Sequence, residues 1–87
     1  NKARDWLKKH GFTEIHNLNE ISSNSSAWDY LAKKEDQWWL IDVTIGQHKP
    51  VIPKLTKLCT GYEHAILFVD IAKDQWRLMK IKLEETS

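Results

Sequence analysis

The chain carries one cysteine, Cys59, in 87 residues. A single thiol forms no internal disulfide and assembles no thiolate metal cluster, which excludes disulfide-stapled scaffolds and cysteine-built metal sites. Long apolar runs are also missing. No stretch approaches the ~18 apolar residues that a membrane span needs, and no signal-peptide pattern opens the chain. These absences point to a reducing, intracellular setting without membrane insertion. There is no excess of charge of one sign: 13 Lys and Arg stand against 12 Asp and Glu, a net charge of +1. Nucleic-acid-binding domains are often more basic, so a case for DNA has to come from local arrangement. Proline and glycine are scarce, with two and three residues, and each serves as punctuation between elements.

What is present is ordinary for a soluble domain, with 41% hydrophobic and 29% charged residues. The length suits one small domain spanning 1–87, near the lower limit of what a core supports without staples. The initial Asn suggests a piece of a longer protein. Five tryptophans, Trp6, Trp28, Trp38, Trp39 and Trp76, supply large buried area in a short chain.

Ala3, Trp6, Leu7 and His10 fall at i, i+3, i+4 and i+7 and predict an amphipathic helix. Gly11 stands where a left-handed C-cap is wanted. Residues 12–18 (FTEIHNL) read as a strand, 19–26 (NEISSNSS) as a loop and 27–33 as a second strand. A tight turn at 34–37 leads into 38–45, a strand apolar on both faces apart from Asp42 and Thr44. That pattern marks a central strand covered on both sides. Pro50 and Pro53 fit only the first turn of a helix. That second helix would carry Val51, Ile52, Leu55, Leu58 and Cys59 on its apolar face and end at Gly61. Residues 63–71 form another two-sided strand, and 76–83 an edge strand after a turn. The order is α-β-β-β-α-β-β, an α/β domain whose third and fourth strands run parallel through a right-handed crossover. The echo between KEDQWWLI (34–41) and AKDQWRLM (72–79) reads as repeated hairpin chemistry, because the surrounding helices are not duplicated.

The acids pose the chemical question. Asp29 and Asp42 sit on strands joined by a short turn, which allows them to be cross-strand neighbours; Thr44 shares a strand face with Asp42. A carboxylate on a buried strand is costly unless paired or metal-bound. Two that lie close together repel unless a cation sits between them. Mg²⁺ suits one or two carboxylates completed by water and phosphate oxygens.

An acid at the start of one strand, twelve intervening residues and an acid in the next apolar strand resemble the PD-(D/E)XK nucleases. The closest flavour is the archaeal Holliday-junction resolvase type. The serine loop SSNSSAWD (22–29) precedes the first acid as it does there; Tyr30-Leu31-Ala32 matches that family's LIA-like run, and IDVT (41–44) its IEVK strand. The resemblance implies a restriction-endonuclease-like core, a mixed central sheet flanked by helices. It implies Mg²⁺- or Mn²⁺-dependent hydrolysis of DNA, with the ion held by Asp29, Asp42 and the Val43 carbonyl. Thr44 stands where the family's motif has lysine. Lys49, Lys33 and Lys54 are candidate substitutes, with Lys49 preferred for its short reach. Asp5 or Glu20 would supply the acid that the family carries on or near its first helix. Ser25, Ser26, Lys33 and Lys54 are candidate DNA contacts, with Lys34 and Lys57 nearby. A domain this small is expected to act as a homodimer or beside an attached DNA-binding domain. Against this stand plainer readings: a degenerate nuclease fold used for DNA binding or assembly, or an unrelated α/β domain with incidental aspartates. The four histidines show no metal-ligand spacing on one element; Cys59 reads as a small core residue.

Overall fold

A computed structural model of the chain describes residues 2–18, 28–46 and 58–81. Among these lie α1 (Lys2–Lys9), β1 (Glu14–Asn17), β2 (Tyr30–Lys34), β3 (Gln37–Ile45), β4 (Glu63–Asp70) and β5 (Gln75–Ile81). The result is an α/β arrangement, one described helix on a five-stranded mixed sheet whose spatial order follows the chain, β1-β2-β3-β4-β5.

Helix α1 forms for the reason its spacing gives: Ala3 and Leu7 bury one stripe, while Asp5 in the first turn and Lys8 and Lys9 in the last complement the helix dipole. Its end is a Schellman motif. The Phe12 N–H donates to the Leu7 carbonyl and the Gly11 N–H to the Lys8 carbonyl, and Gly11 takes φ +96°. Leu7 and Phe12, the hydrophobic pair of that motif, are both buried in one core cluster.

Strands β1, β2 and β3 are successively antiparallel, β3 and β4 are parallel, and β5 returns antiparallel at the edge. A parallel pair needs a crossover, made here by residues 46–62. The helix expected to begin near Pro50 falls largely on residues 47–57, outside the described residues. Its expected end is different: 58–61 form no helix, and Cys59 is exposed rather than part of a core. The apolar spacing of Leu55, Leu58 and Cys59 does not carry helix into that turn.

Strand β4 buries six consecutive residues, His64 to Val69, so it feeds both faces of the sheet. On the face covered by α1, Leu7 and Phe12 pack with Tyr30, Ala32, Ile41, Ala65, Leu67 and Val69. On the other, Trp28 packs with Leu40, Ile66, Phe68 and Ile81. The adjacent tryptophans of β3 divide accordingly. Trp39 joins the α1-side cluster, edge-on to Phe12 at 5.7 Å between ring centres. Trp38 lies on the opposite face beneath the Lys33 ammonium and beside His16.

The β2–β3 turn is a two-residue loop with both residues at positive φ, Glu35 at 51° and Asp36 at 63°. That is the type I′ geometry whose twist suits a hairpin and whose preferred residues are Asn and Gly. Asp74 repeats the conformation at φ 51°, again directly before a strand-opening Gln, which accounts for the echo between KEDQ and AKDQ. Glu at positive φ is strained, so the doubly substituted Glu35→Asn, Asp36→Gly protein should gain about 1 kcal/mol. For a domain of this size that is a rise in thermal midpoint of roughly 4–8 °C. An unchanged or lower midpoint would show that the native turn carries no such strain.

Candidate metal centre

Asp29 meets β3 where β2 begins. Tyr30 is the register partner of Ile41, yet the Asp29 N–H also donates to the Ile41 carbonyl, at 2.9 Å. Two consecutive residues thus address one partner, the signature of a bulge. The Asp29 carbonyl meanwhile accepts the Leu18 N–H. Beyond Tyr30 the regular β2–β3 ladder stops, and the side chain takes over: the Val43 N–H donates to Asp29 Oδ2 at 2.8 Å. That is the short, charge-assisted kind of hydrogen bond.

This changes the relation expected between the acids. Asp29 is not a ladder partner of Asp42, because the last register pair is Tyr30↔Ile41. Instead its carboxylate reaches past the end of β2 to the flank of β3. In a strand a residue's N–H and C=O point to the same side, so the Val43 carbonyl leaves β3 on the side that Asp29 occupies. Asp42 sits in register with Ile66 in the middle of the sheet. Thr44, two residues on and on the same face, donates its hydroxyl to Asp42 Oδ2 at 3.4 Å, a long and weak bond. Asp29, Asp42, Val43 and Thr44 are all half-buried. Asp42, Val43 and Thr44 thus lie on the C-terminal half of β3, whose parallel neighbour is β4, and the Asp29 carboxylate reaches them through the Val43 N–H.

Among the described residues no three His, Cys, Asp or Glu side chains converge on a metal-sized space. The donors at hand are two carboxylates and one main-chain carbonyl, hard oxygens that suit Mg²⁺ or Mn²⁺ completed by water and not a thiolate- or imidazole-seeking metal.

Of the candidate lysines, Lys33 is placed. It stands four residues along β2 from Asp29, about 13 Å at the rise of a strand, and its ammonium lies 5.7 Å from the centre of the Trp38 ring. It is at the turn end of the hairpin, away from the acids. Asp5 is an exposed residue of α1. Lys49, Lys54, Lys57, Glu20, Ser25 and Ser26 lie outside the described residues.

Sequence reasoning missed a second feature, at the opposite end of β4. His64 is 6% exposed, and its Nε2 accepts the Cys59 N–H at 2.9 Å. Burial lowers its pKa below the ordinary 6.5, against the opposing pull of Glu63. The signal was a histidine inside the apolar run HAILFV, where a polar ring has to find a partner. An open cleft of about 520 Å³ lies there, walled by residues 58–62 and by Glu63, His64, Lys80 and Ile81.

The Asp29 bond yields a stability test. Asp29→Ala leaves the Val43 N–H unmatched and should cost about 1–3 kcal/mol in urea unfolding. Asp29→Asn keeps an accepting oxygen and should lose less. Equal stability of both variants and the wild type would mean that this bond does not hold the start of β2. No family model, curated protein or solved structure matches the chain.

Proposed function

We propose that this domain is a metal-dependent DNA endonuclease of the PD-(D/E)XK type, with Asp29, Asp42 and the Val43 carbonyl holding Mg²⁺ or Mn²⁺. The observation that carries the reading is the bond from the Val43 N–H to Asp29 Oδ2. It fixes one carboxylate beside the peptide that bears the other. The element order supports it too: a helix, three antiparallel strands, a crossover, then a strand parallel to the third. That order is compatible with a restriction-endonuclease-like core with one added strand, β5.

A divalent cation held by Asp29, Asp42 and the Val43 carbonyl would polarise the scissile phosphate and lower the pKa of the attacking water. The chain's own residues supply position. Asp42 is held on a strand paired on both sides, and Thr44 steadies its carboxylate from the slot where the motif has lysine. Lys49, five residues beyond Thr44, supplies the ammonium that orients the water and offsets charge. Lys33, too far along β2 to serve the water, contacts the DNA backbone with Lys54, Ser25 and Ser26. Hydrolysis proceeds without a covalent enzyme intermediate. The domain works inside the cell, as a homodimer or beside a further DNA-binding domain.

A second reading has its own support in Thr44, whose hydroxyl is turned to Asp42 and takes no proton from water. Under it the same fold binds DNA or assembles with protein and does not cut. Nicking of supercoiled plasmid with Mg²⁺ or Mn²⁺ separates the two. The endonuclease reading expects nicked circles, and a loss in Asp42→Asn beyond the ~10–100-fold that removing an outer-sphere partner of a metal costs. Wild-type protein that never nicks with either ion leaves the non-cutting module. Undiminished nicking by Asp42→Asn removes the site assignment.

A further inference from the structure

Among the described residues, His64 is the one buried side chain that is polar or charged, and the metal centre does not use it. Its Nε2 receives the Cys59 N–H at 2.9 Å. A backbone N–H only donates, so Nε2 carries no proton and the ring is the neutral form protonated at Nδ1. Adding a second proton sets two N–H groups against each other and places a charge in a buried position. The ring has little room to swing away, because it packs against Trp28 at 5.0 Å between ring centres, and Trp28 is itself 3% exposed.

What the bond holds is the segment 58–62, the end of the β3–β4 crossover and one wall of the cleft. A second tether reaches the same segment from β3, where Gln37 Nε2 donates to the Gly61 carbonyl at 3.2 Å. The surroundings of the ring are mixed in charge. Glu63, its neighbour in β4, favours protonation, but that carboxylate is paired with the Lys80 ammonium of β5 at 3.1 Å. The flanking register partners, Leu40 from β3 and Ile81 from β5, are uncharged. From the loop comes the Cys59 thiol. Asp29 follows Trp28 in the chain, and Asp42 lies two residues beyond Leu40 on the same strand face. Burial outweighs the attraction of Glu63 and favours the neutral ring.

We infer that the His64–Cys59 bond is a pH-operated latch: the neutral ring holds residues 58–62 against the head of β4, and protonation releases them and opens the cleft. The sign follows from the ring's preference. Where the closed form binds a proton less readily than the open form, closure is strongest above the open-form pKa, near 6.5, and weakens as pH falls. Between that value and the lower pKa of the closed form, the opening equilibrium rises as pH falls, by at most about tenfold per pH unit, and then levels off.

Amide hydrogen exchange followed by NMR, alongside the titration of the His64 ring, tests this. The Cys59 amide should lose protection progressively below pH 6.5, by up to about tenfold per pH unit before levelling off, while that of Leu67 in the centre of β4 holds constant. In His64→Gln, whose side chain accepts the same bond without titrating, Cys59 protection should be flat with pH. In Gln37→Ala, Cys59 protection should fall at every pH without moving the midpoint, which keeps the test available if His64→Gln fails to fold. A His64 midpoint at or above 6.5 overturns the latch, as does Cys59 protection indifferent to the ring's titration. Parallel loss at Cys59 and Leu67 overturns it as well, since that is general acid unfolding.

Discussion

The parallel pairing of β3 with β4 is the constraint on which the rest of the molecule rests. From Trp39↔Glu63 to Ile45↔Val69 it joins the two most apolar strands of the chain, and both core clusters are built on their alternate residues. Parallel neighbours require a crossover, and strands in that position must be covered on both faces. An acid in β3 therefore sits in a place where an unpaired carboxylate is costly. Asp42 meets that cost beside Thr44 and next to the peptide that binds Asp29.

The Asp29 carboxylate substitutes for a missing ladder carbonyl at Val43, and under the proposed function the same bond would also hold it ready as a cation ligand. A strand that ends in a bulge and hands its last hydrogen bond to a side chain is a rigid mount for that side chain, and rigidity at the donors is what a hard cation with strict geometry needs.

Much of this was legible in the residues. The spacing of Ala3, Leu7 and His10 with Gly11 behind it gave a helix and its cap, because those are local rules. The apolar runs of β3, broken only by Asp42 and Thr44, and of β4 mark the centre of the sheet. The start of β2 was read three residues early: Trp28 turns into the second cluster and Asp29 bends the chain, so pairing begins at Tyr30. The placement of Asp29 against the middle of β3 follows from the tight turn between β2 and β3, which sets the register. That Asp29 bonds backbone instead of facing Asp42 did not follow, because a bulge leaves no mark in residue type. Lys33 shares parity with the acid end of β2, but parity says nothing of distance along a strand. Cys59 was misjudged since helical spacing persists into a segment that the chain uses as a turn.

The central claim is that Asp29, Asp42 and Val43 form one divalent-cation site, and paramagnetic broadening by Mn²⁺ of assigned backbone amide signals tests it most directly. The account predicts that the signals of Tyr30, Val43 and Thr44 broaden first, and that Asp42→Asn abolishes the effect while leaving the remaining spectrum in place. Broadening centred elsewhere, at Glu14 and His16 or at Glu63, would contradict it, as would broadening around Val43 that survives Asp42→Asn.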